Sequence, residues 1–386
     1  MTGRDHLLDV SRLVWRTWTA RRPTGIDRVC LEYLAHFGDR SHAVLQFRSR
    51  VFVFAPDLSD QLFSLLSGGD RGIRSRLIML ALQGLLGGQA SRSVPRKGMT
   101  YLNVGHTGLH NPALVRWIER NRLRAFYLVH DLIPITHPQF CRDGEGAKHA
   151  KRMKHALASA TGIICNSQAT LDDLAAYAGG CGMAMPRSIV AWIAPPQLHR
   201  DDAPPAFRGT YFVAVGTIEA RKNHRLLLNV WRQLVAEMGE TAPTLVVVGQ
   251  RGWHAEEAIA TLDSPGDLRG HVLEVGDCPD DELVRWLTGA RALLMPSQIE
   301  GFGLPVVEAL QLSTPVIASD LPVYFEIAGD IPTYLDSGNE EAWRRAVMDF
   351  TRESAERDRQ LSANRDYEPP SWKRHFVRVE RFLADF

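Results

Sequence analysis

The sequence predicts an α/β protein of two domains, each built on a parallel sheet with helices on both faces. From residue 211 onward, short β-branched runs alternate with amphipathic stretches, and each run ends in a loop. This alternation is typical of strands joined by crossover helices. The strands predicted there are Tyr211–Val215, Leu245–Val248, Val272–Val275, Ala292–Met295 and Val316–Ser319. Ligands of such sheets bind outside the carboxyl ends of the strands, so the loops that follow are candidate sites.

The first half of the chain is less regular, but it fits a second doubly wound domain. Ala125–His130 and Gly162–Cys165 are predicted to be buried strands, and Arg28–Phe37 is predicted to be a helix after a turn. The proline-rich, polar stretch at 196–208 is typical of an interdomain linker. We therefore predict a first domain at 1–197, a second domain at 198–365 and a C-terminal helix within 366–386.

Composition narrows the class of protein. A chain of 386 residues that is 45% hydrophobic can bury two cores. The 45 lysines and arginines nearly balance 44 acidic residues, so no overall field favours nucleic acid as a partner. Five cysteines without a C-x-x-C pair argue against a disulfide framework or structural zinc and favour a reducing cytoplasm. Because no apolar leader and no run of about 18 apolar residues occurs, we expect neither export nor a membrane span.

Residues 297–308 are the most informative stretch, because two carboxylates flank a glycine-rich turn that opens a helix. Gly301 and Gly303 allow the backbone to approach a ligand closely. The helix start offers N–H groups to an anion, usually phosphate. Carboxylates would repel a phosphate, so we expect Glu300 and Glu308 to accept hydrogen bonds from hydroxyls on either side of a diphosphate. Such a ligand is a nucleotide sugar.

The pattern E-G-F-G-L-P-x-x-E at 300–308, followed by S-T-P-V-I-A-S, resembles retaining glycosyltransferases of family four, group 1. The resemblance implies the GT-B fold, with two doubly wound Rossmann-like domains, a cleft between them and a last helix that crosses back to the first domain. It also implies that Glu300 contacts the donor sugar and that Glu308 holds the ribose. The other donor-binding residues that it implies are Gly25, Gly216, Gly301, Phe302, Gly303 and Leu304.

Two adjacent cations follow the first strand of the second domain. Arg221 presents a fork that matches two oxygens, and Lys222 supplies a compact charge, which together suit a diphosphate. In the family that this chain resembles, the basic pair stabilises the leaving nucleoside diphosphate. Since negative charge grows on that phosphate as the sugar departs, fixed cations are an effective catalytic device. The chain contains no D-x-D sequence, so we expect catalysis without a metal or other cofactor.

A histidine and an aspartate follow a strand of the first domain. Residues 127–138 resemble the H-D-L-I-P segment of the mannosyltransferase-like branch of the family. In that branch the histidine forms a hydrogen bond with the donor sugar near the reacting carbon. The resemblance therefore gives His130 a catalytic role, and Asp131 either orients it or contacts the acceptor.

Further acceptor-side candidates lie in two turns of the first half. Gly25 lies in a T-G-I-x-R sequence that resembles the turn opening the first helix of those families, where its N–H approaches donor phosphate or acceptor. Arg28 either binds a phosphate of a lipid-linked acceptor or pairs with Asp27. Asn103 and His106 belong to a stretch predicted to follow a strand, which makes them acceptor candidates.

The segment Arg71–Leu82 mixes cations with a short apolar run. Basic amphipathic segments of this kind bind anionic lipid headgroups at a membrane surface. The alternative is an ordinary core helix with basic ends. We expect a cytoplasmic protein, with this segment as the candidate for peripheral contact at the inner face of the cytoplasmic membrane.

Taken together, the sequence predicts a retaining, metal-independent hexosyltransferase of surface polysaccharide or lipopolysaccharide synthesis. Its expected partners are a nucleotide-sugar donor, with GDP-mannose the best match, and a saccharide or polyprenyl-linked acceptor. Rhamnose, fucose, glucose and N-acetylglucosamine donors remain alternatives. Other functions on the same fold are a nucleotide-sugar epimerase, a phosphorylase or a silent nucleotide-sugar-binding subunit.

Overall fold

The computed structural model of the chain describes residues 3–19, 25–68, 73–86, 93–198 and 206–386. It divides into two units. The first comprises Met1–Ile135, Gly144–Ile193 and Trp372–Phe386, and the second comprises Thr136–Asp143 and Ala194–Ser371. The C-terminal helix thus packs within the first unit, and a short segment of the first half packs within the second. The predicted linker at 196–208 lies partly outside the described residues.

The strands and helices alternate along most of the chain. The strands are β1 His6–Asp9, β2 Ser41–Phe47, β3 Arg50–Val53, β4 Thr100–Asn103, β5 Arg124–Val129, β6 Gly162–Cys165, β7 Arg187–Val190, β8 Tyr211–Val215, β9 Thr244–Val248, β10 Val272–Val275, β11 Leu293–Met295, β12 Val316–Ser319 and β13 Thr333–Leu335. The helices are α1 Ser11–Thr19, α2 Gly25–Phe37, α3 Pro56–Gly68, α4 Ile73–Leu86, α5 Pro112–Asn121, α6 Ile133–Thr136, α7 Glu145–Ser159, α8 Gln168–Gly180, α9 His224–Met238, α10 Glu256–Asp263, α11 Asp280–Gly289, α12 Leu304–Gln311, α13 Pro322–Ala328, α14 Glu340–Thr351, α15 Ala355–Ala363 and α16 Trp372–Ala384.

The strands predicted from the second half are confirmed within one residue at each end. In the first half, β5 and β6 confirm the predicted buried strands, and the predicted helix at 28–37 begins three residues earlier, at Gly25. The sequence analysis did not identify α1, so α2 is the second helix rather than the first. It also placed Asn103 after a strand, which is wrong, because Asn103 is the last residue of β4.

Within the described ranges, each unit has one sheet whose strand order reverses near its centre. The first sheet has the order β3-β2-β1-β4-β5-β6-β7, in which β3 alone is antiparallel to its neighbour. The second has the order β10-β9-β8-β11-β12-β13 and is parallel throughout. Parallel strands covered on both faces are continuously apolar, as Thr244–Val248 shows with every residue buried. Both sheets are doubly wound, as predicted.

Helix α16 covers part of the first sheet with an apolar face. The predicted face of Trp372, Phe376, Val379 and Phe382 is confirmed, since the last three are buried and Trp372 is half-buried. On the same helix, the imidazole of His375 forms a 2.9 Å hydrogen bond with the Tyr33 hydroxyl. Within the described residues, no helix is both long and apolar enough to span a membrane.

The contact between α16 and β6 depends on a glycine. A Cβ added at Gly162 would lie 2.7 Å from the Phe382 ring and 2.8 Å from the Phe126 ring. We predict that Gly162→Ala lowers the free energy of unfolding by about 1–3 kcal/mol, because the packed rings must shift. Urea denaturation measures this change.

Gly179→Ala in α8 is the matched control. No atom lies within 4 Å of the position that its Cβ would occupy. Alanine is the better helix former by about 0.5–1 kcal/mol, so this variant is expected to be neutral or slightly stabilised. Equal stability of the two variants would contradict the proposed packing of α16.

Candidate functional site

In the second unit, the strand order reverses where β8 meets β11. Ligands of doubly wound sheets bind at such a reversal, beyond the carboxyl ends of the two strands. The loop after β8 carries Arg221 and Lys222 in a short 3₁₀ turn, and the loop after β11 carries Glu300. Topology thus brings together three of the four residues predicted to be catalytic.

Glu300 lies between the two cations and binds both. Arg221 Nη1 donates to Glu300 Oε2 at 2.6 Å, and Lys222 Nζ donates to Glu300 Oε1 at 2.5 Å. The Ser297 hydroxyl donates to the same Oε1 at 2.8 Å. On its other side, Arg221 Nε lies 2.7 Å from Glu219 Oε1. We call Glu219, Arg221, Lys222 and Glu300 the ion cluster.

Most of the ion cluster is withdrawn from water. The side chains of Glu300 and Lys222 are 7% and 9% exposed, whereas that of Arg221 is 23% exposed. Burial alone would raise the pKa of Glu300, but Arg221 and Lys222 more than offset this effect and hold the pKa at about 2. Burial raises the pKa of Glu219, and the like charge of Glu300 adds to this effect, although Arg221 and Lys222 oppose it. Arg221 is therefore the cation of the cluster that solvent reaches most easily.

The ion pairs of Glu300 were not predicted from the sequence. Glu300 is paired with both cations, because a buried carboxylate requires a compensating charge. Its predicted role of accepting hydrogen bonds from hydroxyls of the donor stays a prediction.

Two glycines of the predicted donor site have a clear internal role. Gly303 has a φ of 100°, and a Cβ there would lie 2.6 Å from the Tyr324 ring. Gly216 has a φ of 140°, and its Cβ would lie 3.1 Å from Lys222 Cε. A side chain at either position would therefore crowd the protein's own side chains, and the predicted approach of the Gly303 backbone to a ligand stays a prediction. The Tyr324 hydroxyl in turn lies 3.5 Å from Glu300 Oε1.

Four other predicted donor-site residues lie at or near the start of α12. Gly301 and Phe302 precede the helix, Leu304 is its first residue, and a proline occupies the first turn as the sequence predicted. Phe302 and Glu308 are both buried, at 4% and 7% exposure. All four lie, like Glu300, in the loop and helix that follow β11, and their ligand roles stay predictions.

In the first unit, two histidines connect neighbouring strand ends. His130 Nε2 donates to the Val104 carbonyl at 2.7 Å, and His106 Nε2 donates to the Leu128 carbonyl at 2.9 Å. Their rings lie 5.1 Å apart. Burial lowers the pKa of His130 to about 4, so its ring is neutral at pH 7. With Nε2 carrying the proton, Nδ1 of His130 is a hydrogen-bond acceptor.

A third histidine, which the sequence analysis missed, extends this group. His149 of α7 forms a 3.1 Å hydrogen bond with the Asp131 carbonyl, and its ring lies 5.6 Å from that of His106. The Asp131 carboxylate accepts a hydrogen bond from the Ile133 N–H at 3.1 Å, which closes the turn before α6. His106, His130, His149 and Asp131 thus form one cluster at the end of the first sheet.

The other acceptor-side candidates are not part of this cluster. Asn103 Nδ2 donates to the Tyr101 hydroxyl and to the Thr107 carbonyl, so this side chain fixes the loop after β4. Gly25 is exposed at the first residue of α2, and Arg28 is half-buried one turn later. The preceding residues of the T-G-I-x-R turn lie outside the described part of the chain.

Trp253 connects the ion cluster to the segment 136–143, and no sequence pattern suggested this role. Its indole N–H donates to the Phe140 carbonyl at 3.0 Å, and the Arg142 guanidinium lies 5.0 Å from its ring centre. Its carbonyl accepts a 3.4 Å hydrogen bond from the Ala220 N–H, at the turn that carries the two cations. In the residues that the structure describes, no group of three or more His, Cys, Asp or Glu side chains is arranged to hold a metal ion.

The second unit matches a known family. Residues 199–366 match the family described as Glycosyl transferases group 1. The match covers the described second unit almost completely and less than half of the whole chain. The resemblance inferred from residues 300–308 is thereby confirmed.

Several curated relatives of the chain are mannosyltransferases of Escherichia coli. The serotype-specific mannosyltransferase WbdA of Escherichia coli is 28% identical over 242 residues, which are 58% of this chain and 29% of WbdA. The O-antigen chain mannosyltransferase B of Escherichia coli is 31% identical over 148 residues, which are 38% of each chain. The chain thus spans less than a third of the WbdA sequence that it matches.

Solved structures confirm the fold. Anabaena HepE, in complex with UDP and glucose, superimposes with a TM-score of 0.65 at 13% identity and full coverage of both chains. Sucrose-phosphate synthase from Thermosynechococcus elongatus superimposes with a TM-score of 0.64 at 15% identity, with 98% of each chain covered. The chain therefore has the GT-B fold, as its sequence predicted.

The ion cluster makes stability depend on pH. The pKa of Glu300 falls from 4.5 to about 2 on folding, so its ionised form stabilises the folded state above pH 4.5. That contribution is lost as the pH falls toward 2. We predict that Glu300→Gln lowers the free energy of unfolding at pH 7 by about 3–5 kcal/mol, because the buried Lys222 loses its carboxylate partner and Arg221 loses one of its two. The difference in the free energy of unfolding between this variant and the wild type should decrease steadily from pH 5 to pH 2.5.

Urea denaturation across this pH range measures the effect. Glu240→Gln is the control, because Glu240 is exposed in a turn of the same unit. The control should follow the wild type at every pH. A constant difference between Glu300→Gln and the wild type would show that the ionisation of Glu300 does not stabilise the fold.

Proposed function

We propose that the protein is a retaining glycosyltransferase that moves a hexose from a nucleotide diphosphate sugar to a saccharide or lipid-linked acceptor. The observation that carries this proposal is the ion cluster at the reversal of strand order in the second unit. Topology and charge there suit the diphosphate of a donor. The match of the second unit to group 1 and the mannosyltransferase names of the relatives support the same reaction class.

The chemistry assigns a distinct task to the cations. As the bond from the sugar C1 to the phosphate oxygen breaks, the electron pair leaves with the β-phosphate. Arg221 and Lys222 stabilise that growing negative charge. The acceptor hydroxyl forms the new bond to C1 on the same face, and its proton passes to the departing phosphate oxygen. This route retains the configuration at C1 and requires no protein base and no metal.

Glu300 then has a positioning role in addition to the predicted contact with the donor sugar. Its two oxygens fix Arg221 and Lys222 before any ligand arrives, so the cations lose little freedom on binding. The paired state also keeps two like charges from repelling each other in a buried site. We therefore propose that the donor phosphate shares the cations with Glu300.

In the first unit, the neutral His130 is the residue proposed to contact the sugar. Its Nε2 proton is engaged by the Val104 carbonyl, so Nδ1 accepts rather than donates. A sugar hydroxyl is a suitable donor to this nitrogen. Neutrality also matters, because a positive imidazole would disfavour the oxocarbenium-like state of the reacting sugar.

The donor proposed is GDP-mannose, and the process is assembly of a surface polysaccharide. The relatives named as mannosyltransferases of O-antigen synthesis favour both this donor and this process. An epimerase or a phosphorylase on the same fold is the second candidate. Product analysis with and without an acceptor separates them, since an epimerase converts the nucleotide sugar alone.

Donor binding is tested by thermal shift with GDP, UDP, dTDP and their sugars, with and without EDTA. We predict that GDP-mannose raises Tm, because a ligand that binds only the folded state stabilises it. The rise should survive EDTA and disappear in Arg221→Ala/Lys222→Ala. Arg221→Lys keeps the charge but loses the fork, so it should fold normally and bind more weakly.

Arg225→Ala is the matched control, since Arg225 lies at the start of α9 with 64% of its side chain exposed. With GDP-mannose, the Tm of Arg225→Ala should rise as much as that of the wild type. A wild type that no nucleotide stabilises would overturn the donor-site assignment and favour a silent subunit. A shift that EDTA removes would overturn metal independence.

We propose peripheral membrane contact through α4 and the adjacent helix α1. Of the predicted segment 71–82, Arg71 and Gly72 lie outside the described residues, and the rest lies in α4. Exposed apolar side chains on the two neighbouring helices are Trp15, Trp18, Ile78, Met79 and Leu82, at 65%, 45%, 41%, 63% and 48% exposure. Tryptophan and aliphatic side chains beside a cation suit the boundary between headgroups and acyl chains.

Flotation with vesicles of anionic phospholipid tests the contact. We predict that the wild type floats, and that Arg76→Glu/Met79→Glu remains in the dense fraction. The control Val377→Glu changes an exposed valine on α16 and should float like the wild type. Absence of flotation for all three proteins would exclude this membrane contact.

A further inference from the structure

A short segment from the first half of the chain packs within the second unit. Thr136–Asp143, which we call the strap, belongs to that unit, although the residues on either side of it belong to the first. The strap contains one 3₁₀ turn, Pro138–Phe140, and none of its residues is buried. Because the burial of apolar side chains contributes little here, the position of the strap depends on specific contacts.

Trp253 of the second unit supplies two of these contacts. Its indole N–H donates to the Phe140 carbonyl at 3.0 Å, and the Arg142 guanidinium lies 5.0 Å from its ring centre. A cation over the face of a tryptophan is attracted by the negative charge of the ring face. The strap is thus fastened through its backbone at Phe140 and through its side chain at Arg142.

The loop that carries Trp253 pairs with the loop after β8. The Ile218 N–H donates to the Gln250 carbonyl at 2.8 Å, and the Gly252 N–H donates to the Ile218 carbonyl at 2.9 Å. The next bond runs from the Ala220 N–H to the Trp253 carbonyl, at 3.4 Å. The loops thus continue the parallel pairing of β8 with β9 beyond the ends of the two strands. We call these paired loops the ladder.

Two glycines allow the loops of the ladder to lie against each other. A Cβ added at Gly249 would lie 2.0 Å from the Gly216 carbonyl oxygen, and one added at Gly252 would lie 2.7 Å from Thr217 Cγ2. Neither position accepts a side chain unless the neighbouring loop shifts, so the two loops are in close contact. A displacement of the Trp253 loop would therefore displace the loop after β8.

The ladder ends one residue before the cations of the ion cluster. Ala220 begins the 3₁₀ turn that carries Arg221 and Lys222, and the Arg221 carbonyl accepts a 2.8 Å hydrogen bond from the Gln298 N–H in the loop after β11. The turn is thus held at Ala220 by the ladder and at Arg221 by the loop after β11. Trp253 joins the turn to the strap, since its carbonyl binds the turn and its indole binds the strap.

We propose that the strap is a clamp for the donor-diphosphate site and that Trp253 is the positioning residue of this clamp. While the strap is docked on Trp253, the ladder holds the turn after β8 and so keeps Arg221 and Lys222 in place for the phosphates. Release of the strap frees the Trp253 loop and loosens that turn, and cations that are less precisely placed bind a diphosphate less tightly. The role in donor binding rests on the proposed function, whereas the clamp itself does not.

Amide hydrogen exchange of the ligand-free protein tests the clamp without a substrate. We expect Trp253→Ala to speed exchange about fivefold or more in the strap and also in residues 217–222, because the strap loses its anchor and the ladder becomes free to move. Leu273→Ala is the matched control, since Leu273 is an apolar residue of the same unit with 38% exposure, against 36% for Trp253. Strand β9 is the internal reference and should exchange equally slowly in every protein.

Arg142→Gln separates the clamp from an ordinary structural role of Trp253. This change alters the strap and leaves the ladder intact, so exchange in residues 217–222 should still rise, but less than in Trp253→Ala. The affinity for GDP-mannose, measured by calorimetry, should fall about 3–30-fold in Trp253→Ala and by a smaller factor in Arg142→Gln. The double variant should bind no more weakly than Trp253→Ala, since both changes break the same connection.

Arg225→Gln is the control for charge, because it removes one cation from an exposed position near the same turn and should bind like the wild type. Faster exchange of the strap with unchanged exchange in residues 217–222 would overturn the proposal, since the clamp would then not reach the cations. Equal affinities of the wild type and Trp253→Ala for GDP-mannose would also overturn it. A wild type that binds no GDP-mannose contradicts the proposed donor, and exchange in the ligand-free protein then still decides whether the strap fixes the turn.

Discussion

The reversal of strand order in each sheet is the constraint on which both candidate sites depend. At a reversal, the two central strands send their connections to opposite faces, so their loops diverge and leave a crevice at the carboxyl edge. In the second unit this crevice receives the turn after β8 and the loop after β11. In the first unit it receives the start of α1 and the loop after β4. The ion cluster lies at the crevice of the second unit, and Arg12 lies at that of the first.

Because the ion cluster is buried, its charged side chains depend on one another. Glu300 requires cations, because an isolated buried carboxylate would be protonated rather than charged. Lys222 in turn requires Glu300, because burial lowers the pKa of its ammonium group and Glu300 opposes this effect. Gly216 allows the Lys222 side chain to lie against the backbone. Each member therefore fixes the others, and the cost of orienting the cations is met during folding rather than during binding.

The sequence was sufficient for the fold class and for the location of the donor-site loops. Strands such as Tyr211–Val215 are short, apolar and β-branched, and this local pattern survives in the structure because both faces of the sheet are covered. The ion pairing of Glu300 was not predictable, since it joins residues almost eighty positions apart whose contact depends on strand order. Helix α1 was missed for a different reason. It is only nine residues long, and two of its apolar residues are exposed tryptophans rather than core residues.

The difference between local sequence patterns and contacts made by the fold also explains why the sequence analysis did not identify the arginines of the first unit. A lone arginine in a sequence usually lies on a solvated surface, and Arg12, Arg16 and Arg152 occur in no recognisable motif. Within the described residues, burial leaves one guanidinium nitrogen of Arg16 and one of Arg152 without an acceptor. In the second unit, the corresponding cations have Glu300 as their partner. A site whose cations have an internal carboxylate is stable when empty and must share them with a ligand. In the first unit, Arg12 has Asp27 as its partner and Arg152 has Glu145, so these cations are likewise compensated within the protein.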